Sequence, residues 1–240
     1  MPAGFSRRDV VFAVLGAFFL TNALVAELVG GKVIFIGPES WTMFGGRLAA
    51  TVGVMLWPVV FITTDLVNEY FGRAGVWRLS LLTAGMVAYV FVLLFLARLP
   101  PSAGFPDTVD DHSFDTVFGQ SQWIIVGSLL AFLVGQLVDV SVFHALRRRS
   151  GKRALWLRAT GSTVVSQLID TLVVLYVGLA LPKGWDLDTF LRLAVPNYLV
   201  KLALALAMTP VIYAVHWWVE RYLGHALADQ LAEDAARETA

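Results

Sequence analysis

Six long apolar stretches limit what this chain can fold into. A hydrocarbon core about 30 Å thick needs about 20 mostly apolar residues in a helix, and each stretch is close to that length or longer. Hydrophobic residues make up 58% of the chain and charged residues 15%, whereas soluble domains have roughly 45–50% and about 25%. The stretches cover residues 10–28, 48–71, 76–97, 120–146, 159–181 and 191–218. We therefore predict an all-α membrane protein, a single bundle of about six transmembrane helices, with residues 1–240 as one domain.

Two features near the second stretch modify this prediction. Residues 33–44 are apolar but too short to span a membrane, and Gly37-Pro38 interrupts them, so we place them in a loop at the membrane surface. Pro58 lies inside the second stretch, where proline removes a backbone hydrogen bond, so we expect the helix to be kinked or broken there. Broken helices often line the binding site of a transporter.

Basic residues predict the orientation of the chain. Most of them, including those of residues 147–158, lie in segments on the same side as the amino terminus. The loop 99–118 lies on the other side and has four aspartates but no Lys or Arg. Because cytoplasmic loops carry an excess of Lys and Arg, we expect both termini in the cytoplasm.

Five ionisable residues within the apolar stretches are the candidates for positions in the bundle interior. Each costs several kcal/mol in a membrane, about 2.5–3.5 for Asp, Lys or Arg at the helix centre, so these side chains must face the bundle interior or a water-filled cavity. They are Asp65, Glu69, Asp139, Asp170 and Lys201. Glu27 lies near the outer end of the first stretch, and we expect solvent to reach it.

The second stretch has a polar face near its end. Asp65, Asn68 and Glu69 are spaced i, i+3, i+4 and therefore share one side of a helix. Two carboxylates one turn apart repel each other when both are charged, so one should hold a proton or have a cationic partner. The simpler interpretation is that Glu69 only reaches the cytoplasmic interface.

Two later stretches repeat a glutamine–aspartate pair. Gln136 and Asp139 in the fourth stretch, and Gln167 and Asp170 in the fifth, are each spaced i, i+3 on one helical face. Each pair presents an amide and a carboxylate to the bundle interior. They are candidates for substrate binding, and the structural alternative is hydrogen bonding between helices.

The sixth stretch adds the one basic residue deep in any predicted span. Lys201 lies one turn after Asn197, and we expect it to be the counter-ion of Asp170 or Asp139, or to contact a substrate directly. Asn22, in the first stretch, is a further interior polar candidate.

Several function classes lack their sequence signals. The chain has no cysteine, which excludes disulfides and thiolate chemistry. It has no metalloprotease, serine-hydrolase or phosphate-loop motif. We therefore expect no enzyme activity, no metal and no cofactor. The net charge of zero gives no indication of a nucleic-acid partner.

The motifs resemble those of the queuosine precursor transporters, bacterial membrane proteins of the vitamin-uptake type. The resemblance is carried first by Trp57-Pro58 and by the run Thr64-Asp65-Leu66-Val67-Asn68-Glu69-Tyr70-Phe71-Gly72. Three further parts agree: Gly135-Gln136-Leu137-Val138-Asp139 with Val142-Phe143, Ser162-Thr163 through Asp170-Thr171, and Lys201 with Pro210 and Tyr213. The similarity keeps its order from Asn22 to about Gly224 with the same six-span layout.

This resemblance implies uptake of 7-deazaguanine bases, such as 7-cyano-7-deazaguanine or 7-aminomethyl-7-deazaguanine, across the bacterial cytoplasmic membrane. A carboxylate can accept the adjacent N–H and NH₂ groups of a guanine-like edge as a bidentate pair. The candidate carboxylates are Asp65, Asp139 and Asp170. The candidate donors to the base carbonyl are Gln136, Gln167, Asn197 and Lys201. Trp57 or a nearby Phe would stack on the flat ring. This chemistry suits purines in general, and only the resemblance selects the deaza compounds.

Alternatives remain at this level. The chain is either a carrier that works alone, with or without proton coupling, or a substrate-binding membrane subunit for a vitamin or nucleobase that needs a separate energy-coupling complex. A membrane scaffold without transport is disfavoured because it would gain nothing from five interior ionisable residues. The sequence is compatible with a homo-oligomer but does not decide the oligomeric state.

Overall fold

The structure, a computed structural model, describes residues 6–30, 32–43, 46–119, 122–150 and 155–237, and these are mostly helical. The helices are α1 (Arg7–Val29), α2 (Trp57–Ala97), α3 (Asp111–Phe118), α4 (Gln122–Ser150), α5 (Leu155–Leu175), α6 (Leu181–Lys183), α7 (Leu187–Ala207), α8 (Thr209–Leu223) and α9 (His225–Arg237). A 3₁₀ turn (Val52–Met55) precedes α2, and a π turn (Tyr176–Ala180) joins α5 to α6. Five described segments are long and apolar enough to cross a membrane. The predicted all-α membrane fold is confirmed.

Helix α2 consists of two arms that meet at Gly72. This residue has φ 67° and ψ −171°, a conformation that glycine adopts most readily. At this turn Phe71 packs on Phe12 of α1, with ring centroids 4.9 Å apart. Leu79 of the second arm lies against Gly16, which is one turn after Phe12 on α1. The first arm (residues 57–71) thus runs toward the start of α1, and the second arm (residues 73–97) runs back. We call the end of the bundle where α1 begins and the two arms meet the basic end.

Four short strands lie between α1 and α2. Strands β1 (Val33–Phe35) and β4 (Ala49–Thr51) pair antiparallel, and so do β2 (Thr42–Met43) and β3 (Gly46–Arg47). The segment that we placed in a loop thus contains short paired strands among its described residues.

Helices α4 and α5 pack closely as an antiparallel pair. A Cβ built on Gly127 would lie 2.8 Å from the backbone nitrogen of Gly178, and one built on Gly135 would lie 3.4 Å from the Cβ of Asp170. Glycine at these positions lets the two backbones approach. The predicted fourth span begins at residue 120, which lies outside the described residues together with residue 121.

One predicted kink and two predicted span boundaries differ from the structure. The predicted kink at Pro58 is absent because Pro58 lies in the first turn of α2, where the missing N–H has no helical partner to lose. Residues 48–56 form a strand and a 3₁₀ turn instead of a helix. The predicted span 191–218 is divided at Met208, since α7 ends at Ala207 and Pro210 lies in the first turn of α8.

Candidate functional site

A buried ion pair joins α5 to α7. The Lys201 Nζ lies 2.6 Å from Asp170 Oδ2, and each side chain is 8% exposed. The pairing of Lys201 with Asp170 confirms the first of the two predicted counter-ions. Removing two charges from water is costly, so such a pair persists only when the two charges compensate each other closely.

The second aspartate of the repeated motif, Asp139, has a different environment. Its Oδ1 accepts a hydrogen bond from Ser166 Oγ at 3.1 Å, and Ser162, one turn earlier on α5, is a further hydrogen-bond partner. Asp139 is fully buried. Among the described residues, Asp139 Oδ2 has no hydrogen-bond partner, so one carboxylate oxygen is left with acceptor capacity inside the bundle.

The two glutamines of the motif also differ. The Gln136 side chain lies 3.5 Å from Thr64 Oγ1 of the first arm, so α4 faces α2 at this level. Both polar atoms of the Gln167 side chain are buried, and neither has a hydrogen-bond partner within the described part of the chain. Most buried side-chain amides are hydrogen-bonded, which makes Gln167 a candidate ligand-binding group.

Asp65 lines a narrow cleft between the first arm and the junction of α7 and α8. Its walls include Phe61, Thr160 and Met208. Asp65 is buried. Trp57 is partly buried and stacks on Phe61, with ring centroids 5.8 Å apart at an angle of 26°. The predicted stacking residue thus adjoins the wall of the cleft that contains the predicted carboxylate.

Glu69 and Asn68 lie toward the basic end, next to Arg147 of α4. The Arg147 guanidinium is 3.6 Å from Glu69 Oε1. Glu69 therefore has a cationic partner, one of the two alternatives that the carboxylate spacing left open, and its side chain is buried. The side-chain amide of Asn68 is fully buried, and no described residue forms a hydrogen bond with it.

Two predicted residues hydrogen-bond within their own helices. Asn22 is half-buried and donates to the carbonyl oxygen of Phe18 at 2.8 Å. Asn197 is buried and donates to the carbonyl oxygen of Leu193 at 3.0 Å. Asn22 forms no hydrogen bond with the group around Asp170 among the described residues, whereas Asn197 lies one turn before Lys201.

Sequence reasoning missed several polar partners. Glu27 was expected to be solvated, but its carboxylate accepts a hydrogen bond from Ser128 of α4 and lies close enough to interact with the charges of Asp170 and Lys201. The spacing of Ser162, Ser166 and Asp170 by four residues was an available signal, since it places all three on one helical face. The role of Arg147 had no such signal.

We call the buried side chains of Gln136, Asp139, Gln167, Asp170 and Lys201, with the hydroxyls of Ser162 and Ser166, the polar strip of the bundle. It contains carboxylates, amides, hydroxyls and one ammonium group, which can accept and donate hydrogen bonds to a small polar molecule. No group of three or more His, Asp or Glu side chains among the described residues is arranged to hold a metal ion.

Comparison with known proteins identifies the family. Residues 51–215 match the family model described as "Putative vitamin uptake transporter". The chain is 37% identical over 177 residues to the "Probable queuosine precursor transporter" of Bacillus subtilis (strain 168). This alignment covers 72% of this chain and 73% of that protein. It is 26% identical over 169 residues to the "Queuosine precursor transporter" of Escherichia coli (strain K12), covering 69% and 72%.

A third relative is the "Probable queuosine precursor transporter" of Haemophilus influenzae (strain ATCC 51907 / DSM 11121 / KW20 / Rd), 28% identical over 172 residues, with 69% of this chain and 68% of that protein covered. No solved structure matches the chain. The chain therefore belongs to the vitamin-uptake-type family of multi-pass bacterial membrane transporters that includes the queuosine precursor transporters, and this family is one of transporters rather than enzymes.

Proposed function

We propose that this protein imports a 7-deazaguanine base, 7-cyano-7-deazaguanine or 7-aminomethyl-7-deazaguanine, across the bacterial cytoplasmic membrane. The names of its relatives support the class of cargo. The observation that carries the proposal for this chain is the buried Asp170–Lys201 pair with Asp139 on the neighbouring helix. We further propose that residues 1–240 act as one membrane domain with the basic end and both termini in the cytoplasm, as the excess of basic residues favours.

The polar strip suits the edge of a guanine-like base. Asp170 compensates the charge of Lys201, so the ammonium group can stay inside the bundle and donate to the carbonyl of the base. A carboxylate of the bundle interior, Asp139 or Asp65, would accept the adjacent N–H and NH₂ groups. Gln167, whose buried amide has no hydrogen-bond partner among the described residues, would bond a further edge of the ring.

The remaining predicted residues would contribute around this core. Gln136 and Asn197 lie one turn from Asp139 and Lys201 and would add donors. The stacked pair Trp57 and Phe61 offers an aromatic surface for the flat ring. We assign Asn68 and Glu69 to the path toward the basic end, and we keep Asn22 as a candidate in the first helix.

Uptake in a bacterium that cannot make deazaguanines tests this function. The chain is expressed alone, each base is supplied at nanomolar concentration, and queuosine is measured in tRNA. We expect queuosine only when the protein is present, and none with Asp170→Asn at equal membrane levels. Asp188→Asn is the matched control, because that carboxylate is exposed at the start of α7 and its loss should leave uptake unchanged.

Two outcomes would change the proposal. No queuosine despite normal membrane insertion would remove the proposed cargo. Queuosine that appears only when a separate energy-coupling complex is also expressed would favour the substrate-binding subunit over the carrier that works alone.

A further inference from the structure

Arg147 connects three elements at the basic end. Its guanidinium donates to the carbonyl oxygens of Asn68 at 3.3 Å and Ala232 at 2.6 Å, and it forms the ion pair with Glu69. The side chain starts on α4, reaches the first arm and ends on α9, and it is buried. A planar guanidinium has five donors in a fixed fork, which allows one side chain to hold two helices against a third.

Unpartnered polar groups lie on the same side of the bundle as this contact. On α4, His144 precedes Arg147 by one turn, and its two ring nitrogens form no hydrogen bond with any described residue. On the first arm, the Asn68 side-chain amide is likewise without such a bond, although its backbone carbonyl contacts Arg147. Buried polar groups of this kind are rare in well-packed interiors, so we infer a route for a polar molecule here.

The route begins at the polar strip. Gln136, Asp139 and Arg147 are spaced by three and eight residues along α4, which keeps them near one face of the helix. The contact of Gln136 with Thr64 and that of Arg147 with Asn68 show that this face of α4 lies along the first arm. The segment of α4 between these two contacts, which packs through Val140 in the apolar cluster with Leu66, separates the proposed binding groups from the basic end.

Helix α9 is attached in a way that permits release. Three of the four residues that it buries are alanines, so Leu231 is the one large side chain that the described helix buries fully; with the partly buried Leu227 it packs on the apolar cluster of the bundle. It follows Gly224, whose φ of 85° lies in the region that favours glycine. Residues that absorb large backbone changes at the end of an element are typical hinges.

We propose that cargo leaves between the first arm and α4, past Asn68 and His144, and that Arg147 and α9 close this exit. The inference rests on the proposed transport function. When α9 turns about Gly224, Arg147 loses the carbonyl of Ala232 and the basic end opens. When α9 returns, the guanidinium again bridges the three elements and excludes water from the route.

Thiol accessibility tests this exit without any cargo, because the chain has no cysteine of its own. Val140→Cys places one thiol on α4 between Asp139 and His144, at a residue that is 2% exposed and belongs to the apolar cluster with Leu66 of the first arm. The full-length protein is purified in detergent and reacted with a bulky hydrophilic thiol reagent. We expect slow labelling in this background.

Four variants in the Val140→Cys background separate the contributions. Arg147→Gln should raise the labelling rate by about tenfold or more, as expected for the loss of hydrogen bonds from a charged donor. Glu69→Gln removes the ion pair but keeps the bonds to the carbonyls, so its increase should be smaller. Ala232→Leu displaces α9 by overpacking without changing Arg147 and should also raise labelling. Arg149→Gln, on the same helix but exposed, should change nothing.

The outcomes also separate this inference from the proposed function. Unchanged labelling in both Arg147→Gln and Ala232→Leu would overturn the exit, whatever the uptake assay shows. An equal increase in Arg149→Gln would overturn it as well, since a general charge effect would then explain the result. Increased labelling in Arg147→Gln and Ala232→Leu without any uptake of deazaguanines would support the exit and remove only the proposed cargo.

Discussion

The two Gln–Asp pairs have the same spacing but different environments. In α5, Asp170 meets the ammonium group of Lys201, and Gln167 has no hydrogen-bond partner among the described residues. In α4, Asp139 meets the hydroxyl of Ser166, and Gln136 contacts Thr64. The comparison shows that the same two residue types on neighbouring helices become a charge-compensated centre in one case and a hydroxyl-supported carboxylate in the other. The residues of the opposing helix decide which one forms.

The largest expected effect comes from removing the cation. Lys201→Met leaves Asp170 as an uncompensated buried charge, which should lower the free energy of unfolding by about 3–5 kcal/mol and abolish uptake. The double variant Asp170→Asn/Lys201→Met should recover most of the stability but no uptake. Thermal unfolding in detergent and the queuosine assay measure the two effects. A double variant as unstable as the single one would show that the pair does not act through charge compensation.

The corresponding change in α4 should affect stability less. In Asp139→Asn the side-chain oxygen can still accept from Ser166, so we expect a loss of only about 0.5–1.5 kcal/mol, the size of an ordinary hydrogen bond. Uptake should nevertheless be lost, because an amide cannot accept two donors as a carboxylate does. The same unfolding and uptake measurements apply. Retained uptake would assign the bidentate contact to Asp65 instead of Asp139.

Replacing each of the two glutamines by methionine should change stability in opposite directions. Gln167→Met replaces a buried amide without a described hydrogen-bond partner, so stability should stay unchanged or rise by about 1 kcal/mol, while uptake falls. Gln136→Met removes the contact with Thr64 and should lower stability by about 1 kcal/mol. Unfolding midpoints of the two variants, measured side by side, check the order. Equal losses would mean that Gln167 is hydrogen-bonded in the membrane.

The smallest expected effect concerns the packing that positions Asp170. Gly135→Ala would place a Cβ 3.4 Å from the Asp170 Cβ, an ordinary contact, so stability should change by at most about 0.5 kcal/mol. Gly127→Ala is the comparison, because its Cβ would lie 2.8 Å from the backbone of Gly178 and should cost about 1–3 kcal/mol. A larger loss for Gly135→Ala in thermal unfolding would show that close packing holds Asp170 against Lys201.

Membrane physics explains why part of the site was predictable. A charge in an apolar stretch must face the interior, so Asp65, Asp139, Asp170 and Lys201 were identifiable without coordinates. The structure buries all four and pairs the one cation with an expected partner. The prediction for Pro58 failed because a hydropathy window cannot locate the first turn of a helix. Residues 48–56 are apolar enough to continue the span but fold as a strand and a 3₁₀ turn.

The residues near the ends of the bundle were harder to interpret. Arg147 was grouped with the basic residues that orient the chain, and only the packing of α4 against the first arm and α9 shows it as a buried contact. Glu27 was expected in solvent, but α1 lies against α4 at the level of Ser128. In both cases the apolar stretch ends near the residue, and hydropathy does not tell which side chains turn back into the protein.

The sequence by itself determined the membrane fold class, the glutamine and aspartate faces of α4 and α5, and the family to which the chain is similar. The fold class and the two polar faces follow from the cost of placing polar groups in lipid and from helical periodicity, both of which act over a few adjacent residues. The family follows from the order of its motifs along the chain. Only the tertiary structure decided that Asp170 pairs with Lys201, that Asp139 accepts a hydrogen bond from Ser166, and that Arg147 donates to the backbone of α9. Those partners are 27 to 85 residues apart along the chain, so no local pattern encodes them, and packing of the helices selects among several groups of suitable chemistry.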